Sequence, residues 1–308
     1  MKAALLSINV STNKGTVKHP VSRVLVTNQG LQGDAHAGDW HRQVSLLARE
    51  EVEAFETRAR RPIAPGEFGE NLTTVGLDLD RLGLLDRLHI GEVELEITQV
   101  GKVCHGSGCA IFSVAGDCIM PRKGLFARVV RTGQLHAGQE AVPLPRPLRI
   151  AVVTLSDRAS AGQYEDRSGP RIAQLLEQHF EKTRWHLEVT RHLIPDDAST
   201  LEALLLQCRD SGFDAVLSTG GTGLGPRDLT PEVVLRLSER HIPGIMEAIR
   251  VKYGAVHPSA LLSRSVAVTM GRTAVYTLPG SVKAASEYME EILKTLEHLI
   301  QMIHGIGH

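Results

Sequence analysis

Residues 149–156 read RIAVVTLS, and residues 168–180 read SGPRIAQLLEQHF. The first is an almost unbroken apolar run, the pattern of a strand covered on both faces. The second sets Ile172, Leu175, Leu176 and Phe180 on one helical face, with Ser168 as the expected N-cap and Pro170 in the first turn. A buried strand feeding an amphipathic helix is α/β grammar and predicts a mostly parallel sheet flanked by helices. The same grammar continues downstream. A strand is expected near LEVTRHLI (187–194), a helix opening at Ser199, a strand at DAVLST (214–219), a hairpin-like pair at SVAVTM (265–270) and TAVYTLPG (273–280), and a long terminal helix from about Ser281.

Toward the N-terminus the pattern changes at VPLPRP (142–147), where three prolines stiffen the chain and remove ladder donors. We place the division there: one domain over 1–142, a proline-rich linker at 143–147, and the α/β domain over 148–308. The first domain is glycine-rich with short alternating stretches. In GEVELEITQ (91–99), Val93, Leu95 and Ile97 alternate with Glu92, Glu94 and Glu96, which predicts a half-buried strand. The domain reads as mainly β, a barrel, with its clearest helical insert at EEVEAFETRAR (50–60).

The 308 residues are 42% hydrophobic and 22% charged, enough for two cores of ordinary size. Lys and Arg number 34 against 35 for Asp and Glu, a formal net charge of −1, with no basic tract that would track a phosphate backbone, so nucleic acid is not an expected partner. The apolar runs are strand-sized, well short of the roughly 20 residues of a membrane span, and the N-terminus lacks the long apolar region of a secretion signal. A cytoplasmic chain with no membrane association is expected.

The stretch STGGTGLGPRDLTPE (218–232) holds Gly220, Gly221, Gly223 and Gly225 between a buried strand and a helix. That is where open α/β sheets bind ligands, because strand carboxyl ends and helix N-termini meet there. It fits neither the P-loop pattern, having no Lys after its last glycine, nor the dinucleotide spacing. Glycines used only for a tight turn are the plainer alternative. The other strands end in similar chemistry: Ser156-Asp157-Arg158, Pro195-Asp196-Asp197, and Pro279-Gly280-Ser281. Helix capping would explain an Asp at such a place. After Asp197, however, Ser199 with Glu202 already makes a capping box, and after Asp228, Thr230 with Pro231 already opens a helix. Asp196 and Asp228 are therefore surplus, and paired acids beside an anion loop suit a Mg²⁺ shared with substrate phosphates. Phosphoryl or nucleotidyl transfer follows, driven by alignment and charge neutralisation.

These residues resemble the MogA/MoaB type of molybdopterin adenylyltransferase. The likeness covers essentially the whole second half: TLSDRASAGQYEDRSGP (154–170), LIPDD (193–197), STGGTGLGPRDLTPE, ALLSRSVAV (260–268) and LPGSVKAASE (278–287). It implies a homo-oligomer, a trimer or hexamer, in which the terminal phosphate of molybdopterin attacks the α-phosphate of ATP in a Mg²⁺-dependent step. By motif, Asp228 and Asp196 match the acids tied to catalysis and metal, and Ser263 and Arg264 match the pterin and phosphate end. Ser156, Asp157, Thr219, Gly220, Gly221, Thr222, Gly223, Pro279, Gly280 and Ser281 match nucleotide or phosphate contacts, with Lys283 beside them. Other proteins of molybdenum cofactor biosynthesis are implied partners. A non-catalytic carrier of the cofactor is the alternative.

The first half resembles MOSC domains through residues 29–47, 65–79 and 86–112, with Leu84-Leu85-Asp86 where that family usually shows Ile-Gly-Asp. The resemblance implies a β-barrel that binds or handles the molybdenum cofactor, with molybdenum and, at family level, pyridoxal phosphate among its ligands. Cys104 aligns with the family's cysteine and would act as a thiolate in sulfur handling or molybdenum ligation. Cys104, His105, Cys109 and Cys118 also admit a zinc reading, while inert burial is the plainer one for Cys109, Cys118 and Cys208. His36 and His41, flanking Gly38-Asp39, read as exposed polar residues or as contacts to a polar ligand.

Overall fold

The computed structural model describes residues 2–103 and 117–306. The chain divides into two compact units, Met1–Arg146 and Pro147–Ile306. The first is built from β1 (Ala4–Val10), β2 (His19–Val21), β3 (Arg23–Thr27), β4 (Gly30–Leu31), β5 (Val44–Ala48), α1 (Arg49–Ala59), β6 (Leu72–Val75), β7 (Arg87–Ile90), β8 (Val93–Val100), α2 (Met120–Lys123), β9 (Leu125–Arg131), β10 (Gly133–His136) and β11 (Ala141–Leu144). Its main sheet has eight strands in the order β11-β7-β8-β9-β5-β6-β1-β2, and β10-β3-β4 form a smaller one. A short antiparallel bridge joins Ala4 of β1 to Glu140, just ahead of β11, the strand at the far end of the main order. Leu5, Ile8, Leu46, Leu72, Leu88 and Leu95 meet in its core.

β8 departs from its alternating sequence, because Glu94 and Glu96 are buried as well as Val93, Leu95 and Ile97. The flanking strands supply the reason. Arg87 and His89 of β7 reach Glu94, and Arg128 of β9 reaches Glu96, so the carboxylates are neutralised where they are covered. Burial pushes the Glu94 carboxyl up, but hydrogen bonds and charge from Arg87 and His89 bring it below its ordinary value. At the turn before β7, Leu85 adopts φ +67° in place of the family's glycine. Its side chain is fully buried and its amide donates to Ile97 O at 2.8 Å, contacts that offset a left-handed backbone unusual for leucine.

The second unit contains β12 (Pro147–Leu155), α3 (Asp157–Ser160), α4 (Ser168–Phe180), β13 (His186–Ile194), α5 (Ala198–Asp210), β14 (Ala215–Thr219), α6 (Thr230–Leu237), β15 (Arg240–His241), α7 (Pro243–Gly254), β16 (Ala267–Met270), β17 (Thr273–Leu278) and α8 (Val282–Ile303). Its sheet is mixed, β13-β12-β14-β17-β16-β15, with the first four strands parallel and the last two antiparallel. Ala151, Val153, Leu155, Val216 and Val275 pack against Leu201 and Leu205 of α5 and Val233 and Val234 of α6. The alternate residues Ile150 and Val152 are equally buried, on the face that α4 and α8 cover. A strand buried on both faces accounts for the nearly continuous apolar run at 150–155, whose one polar member is Thr154.

The helix starts differ from the capping expected. Asp166, not Ser168, accepts the Gly169 amide at the start of α4, and its other oxygen accepts from Thr154 Oγ1 at 2.8 Å. Asp197, not Ser199, is the N-cap of α5; it accepts from the Thr200 amide, and Ser199 Oγ donates to it. Thr230 is the first residue of α6 and donates its hydroxyl to Gly220 O at 3.0 Å.

Candidate active site

Parallel pairing of β13, β12, β14 and β17 carries Pro195, Ser156, Gly220 and Pro279 to the same edge of the sheet. Gly220 receives the register directly, its amide donating to Leu278 O at 3.1 Å, while Thr219 Oγ1 donates to Pro279 O at 2.8 Å. Thr219 is fully buried and so ties the two loops together from below. Gly220 has φ +109°, and a Cβ there would stand 2.4 Å from Leu155 O, which makes glycine obligatory. Gly223 and Gly225 make room for one group: a Cβ on either would come within 2.9 Å of Asp228 Oδ2. That oxygen accepts the Gly225 amide at 2.8 Å, and the Asp228 amide donates back to Gly225 O. The loop is wrapped around the Asp228 carboxylate.

Arg264 secures this wrapping. Its amide donates to Thr222 O, its guanidinium donates to Gly223 O and Asp228 O, and it pairs with Glu232. It holds the loop from outside and does not line the cavity. The cavity has a volume of about 750 Å³. Gly220, Gly221, Thr222, Gly223 and Asp228 form one wall, Ser263 another, and Pro279, Gly280, Ser281 and Lys283 a third. Ser281 caps α8 through the Ala284 amide, which places a helix N-terminus, with its unpaired amides, at the glycine loop.

The remaining expected residues stand beside the cavity. Ser156 caps α3 and shares a 3.0 Å hydrogen bond with Tyr164. Asp157 and Asp196 clasp each other, each carboxylate accepting the other's amide at 2.9–3.0 Å, and Arg227 bridges from the glycine loop to Asp157 at 2.8 Å. Asp196 therefore organises the strand ends, whereas Asp228 faces the cavity. Tyr253, His257, Glu287 and Tyr288 also line it, and the sequence reading missed them. Their only signal was spacing: Lys283 and Glu287, like Ala284 and Tyr288, are four apart on α8. Lys283 Nζ stands 3.0 Å from His257 Nε2.

The first unit has a pocket of about 360 Å³ lined by Lys14, His36, Trp40, Arg42, Lys102 and Phe126, among others, and among the described residues that line it none is acidic. Arg42 lies 4.8 Å and Lys14 5.7 Å from the Trp40 ring centroid. Beneath it Lys18 and Asp34 form a buried ion pair at 2.5 Å, and Lys18 Nζ is 3.2 Å from His36 Nδ1. Burial pushes the Lys18 ammonium down; it pushes Asp34 up, but hydrogen bonds from His36 and Lys18 and the ammonium's charge hold Asp34 well below the carboxylate range. His36 and His41 are half-buried rather than exposed, and burial, Arg42 and Arg128 push His41 down. Cys104, His105 and Cys109 lie outside the described residues. Cys118 is buried, as is Cys208, whose thiol burial pushes up. Among the described residues no three His, Cys, Asp or Glu side chains gather as metal ligands, and no helix is long and apolar enough to cross a membrane.

A molybdopterin adenylyltransferase of Haemophilus influenzae is 36% identical over 172 residues, covering 52% of this chain and 86% of that protein. The chain belongs to the molybdopterin adenylyltransferase family. Residues 151–298 match the probable molybdopterin binding domain, and residues 33–142 match the MOSC domain, so the chain is a fusion of the two. A molybdenum cofactor biosynthesis bifunctional protein of Synechococcus elongatus is 35% identical over 157 residues, covering 51% of this chain and 48% of that protein. A crystal structure of the molybdopterin biosynthesis enzyme MoaB from Thermus thermophilus aligns at 36% identity with a TM-score of 0.47, covering 51% of this chain and 97% of that one.

Proposed function

We propose that the second unit transfers an adenylyl group from ATP to molybdopterin. A phosphate oxygen of molybdopterin forms a bond to the α-phosphorus of ATP, the bond from that phosphorus to the α,β-bridging oxygen breaks, and pyrophosphate leaves. The observation that carries this reading is the Asp228 carboxylate held in a glycine loop opposite the N-terminus of α8. Loop amides and helix amides suit phosphates, and a carboxylate between them suits the cation that phosphates bring. Asp228 fits that cation, because Gly225 occupies only its Oδ2 among the described residues. Mg²⁺ would neutralise charge on the reacting phosphates when bound. The chain's own residues align the two substrates: Gly220–Gly223 and Ser281 at the phosphates, Ser263 and Lys283 across the cavity, and Asp196 through its clasp on Asp157.

The first unit is assigned to the anionic cofactor. Its pocket is cationic, and Cys104, the proposed thiolate, follows Lys102 of that pocket by two residues. We also assign the eight-stranded sheet to a barrel, a reading supported by the Ala4–Glu140 bridge, which joins β1, next to one end of the strand order, to the residue ahead of β11 at the other.

The test is pyrophosphate release by purified protein with ATP, Mg²⁺ and molybdopterin. Asp228→Asn keeps an acceptor for the Gly225 amide but loses the charge, so turnover should fall on the order of 10²-fold or more with folding unchanged. Near-normal turnover would remove the metal assignment. No release by the wild-type chain, with pterin binding retained, would make it a carrier.

A further inference from the structure

Three cations of the first unit meet no opposite charge among the described residues. Lys14 comes from the segment between β1 and β2, Arg42 from the segment before β5, and Lys102 from the end of β8, and all three line the pocket of about 360 Å³. None of the three side chains forms an ion pair or a hydrogen bond among the described residues, and Arg42 Nε is buried without a partner. Each lies instead against an aromatic ring. Arg42 and Lys14 stand at Trp40, and Lys102 Nζ is 6.0 Å from the Phe126 centroid. Trp40 and Phe126 line the same pocket, so these contacts hold the charged heads at it.

The nearby acids do not answer these charges. Asp34, beneath the pocket, is fully buried and its oxygens are taken: both accept from Lys18, Oδ1 also from the His36 amide and Oδ2 from the Ser11 amide. Asp39, next to Trp40 in the chain, is exposed and does not line the pocket. Residues 104–116, which follow Lys102 closely, contain no Asp or Glu. The uncharged polar lining is also occupied. Asn71 Oδ1 accepts from the amide and the hydroxyl of Ser45, and Thr16 Oγ1 is held by Ser11 and Asn13. What the pocket offers a ligand is therefore chiefly donors and positive charge. Three like charges gathered in this way oppose folding, a penalty that a bound anion removes.

We infer that this pocket is a site for a doubly charged oxyanion that carries no proton, held by Lys14, Arg42 and Lys102. A protonated oxygen would need an acceptor to receive it, and a single negative charge would leave two of the cations unanswered. The inference rests on the assignment of the first unit to an anionic ligand and does not involve adenylyl transfer. Two sources share this chemistry. One is the phosphate monoester of a cofactor, which sheds its second proton at about pH 6; the other is a free tetrahedral oxyanion such as molybdate.

The experiment is calorimetric titration of the full chain at about pH 7.5 with methyl phosphate, methyl sulfate and molybdate. The two esters are alike in shape and differ in charge, so methyl sulfate should bind at least about tenfold more weakly than methyl phosphate. Arg42→Gln and Lys102→Gln should each weaken the dianion by about tenfold. Arg81→Gln, the same charge change at an exposed position outside the pocket, should stay within about twofold. Tighter binding of molybdate would identify the free oxyanion as the source, and tighter binding of methyl phosphate the ester. Methyl sulfate bound as tightly as methyl phosphate would overturn the dianion inference alone and leave the anionic assignment standing. Wild-type affinity in both Arg42→Gln and Lys102→Gln would overturn the site, and each variant serves if the other fails to fold. A wild-type chain that binds none of the three anions would overturn the anionic assignment and this inference with it.

Discussion

Gly220 and Gly223 stand three residues apart in one loop, yet substitution should fail in different ways. Alanine at 220 would have to hold φ +109° and place its Cβ 2.4 Å from the backbone oxygen of Leu155, which sits in a fixed parallel strand. Neither strain can relax cheaply, and Gly220→Ala should lower stability by about 3 kcal/mol or more in urea unfolding. Gly223 has no positive φ, and the three atoms nearest its added Cβ would all be those of the Asp228 carboxylate, Oδ2 foremost at 2.8 Å. The carboxylate can swing away. Gly223→Ala should therefore change stability by less than about 0.5 kcal/mol while lowering pyrophosphate release on the order of tenfold, because the displaced group is the proposed metal ligand. Equal stability losses in the two variants would refute this division. The sequence marked the glycines as a ligand loop, but not which one serves what, since Leu155 and Asp228 reach them only through tertiary structure.

At the scale of elements, strand and helix type were legible, and the partners that satisfy element ends and buried charges were less so. Ser199 with Glu202 satisfied the capping-box pattern, yet Asp197, two residues earlier, takes the Thr200 amide and the hydroxyls of Ser199 and Thr200. Those hydrogen bonds lower the Asp197 carboxyl to about 2. A depressed carboxyl contributes stability that is complete above its unfolded value, near 4, and is lost as pH falls through its folded value. The stability difference between wild type and Asp197→Ala should accordingly hold constant from pH 7 to about 4 and shrink between about 4 and 2. A difference that stayed constant down to pH 2 would mean that Asp197 does not cap α5 as an anion. The β8 glutamates make the same point about partners. Period-2 alternation located the strand, but their burial depends on Arg87, His89 and Arg128 from strands that the pattern could not pair.

At the scale of the molecule, each unit has its own apolar core and its own candidate site. The proline stretch does not lie between them as a free linker: Pro143 belongs to β11, and Pro147 opens β12. The composition change there was legible because a mainly β unit and an α/β unit use different hydrophobic periods. Cys104 and Asp228 belong to different units and are assigned different chemistry, one a thiolate and the other a phosphate-site carboxylate. Their losses should therefore separate. Cys104→Ser should leave molybdopterin-dependent pyrophosphate release within about twofold of wild type, since oxygen replaces sulfur in the first unit, whereas the described residues that line the adenylyl cavity belong to the second. It should also abolish any labelling of residue 104 by a thiol reagent, which Asp228→Asn would leave intact. If Cys104→Ser instead stopped pyrophosphate release with both units still folded, the thiolate would have to take part in adenylylation, and assigning the two chemistries to separate units would be wrong.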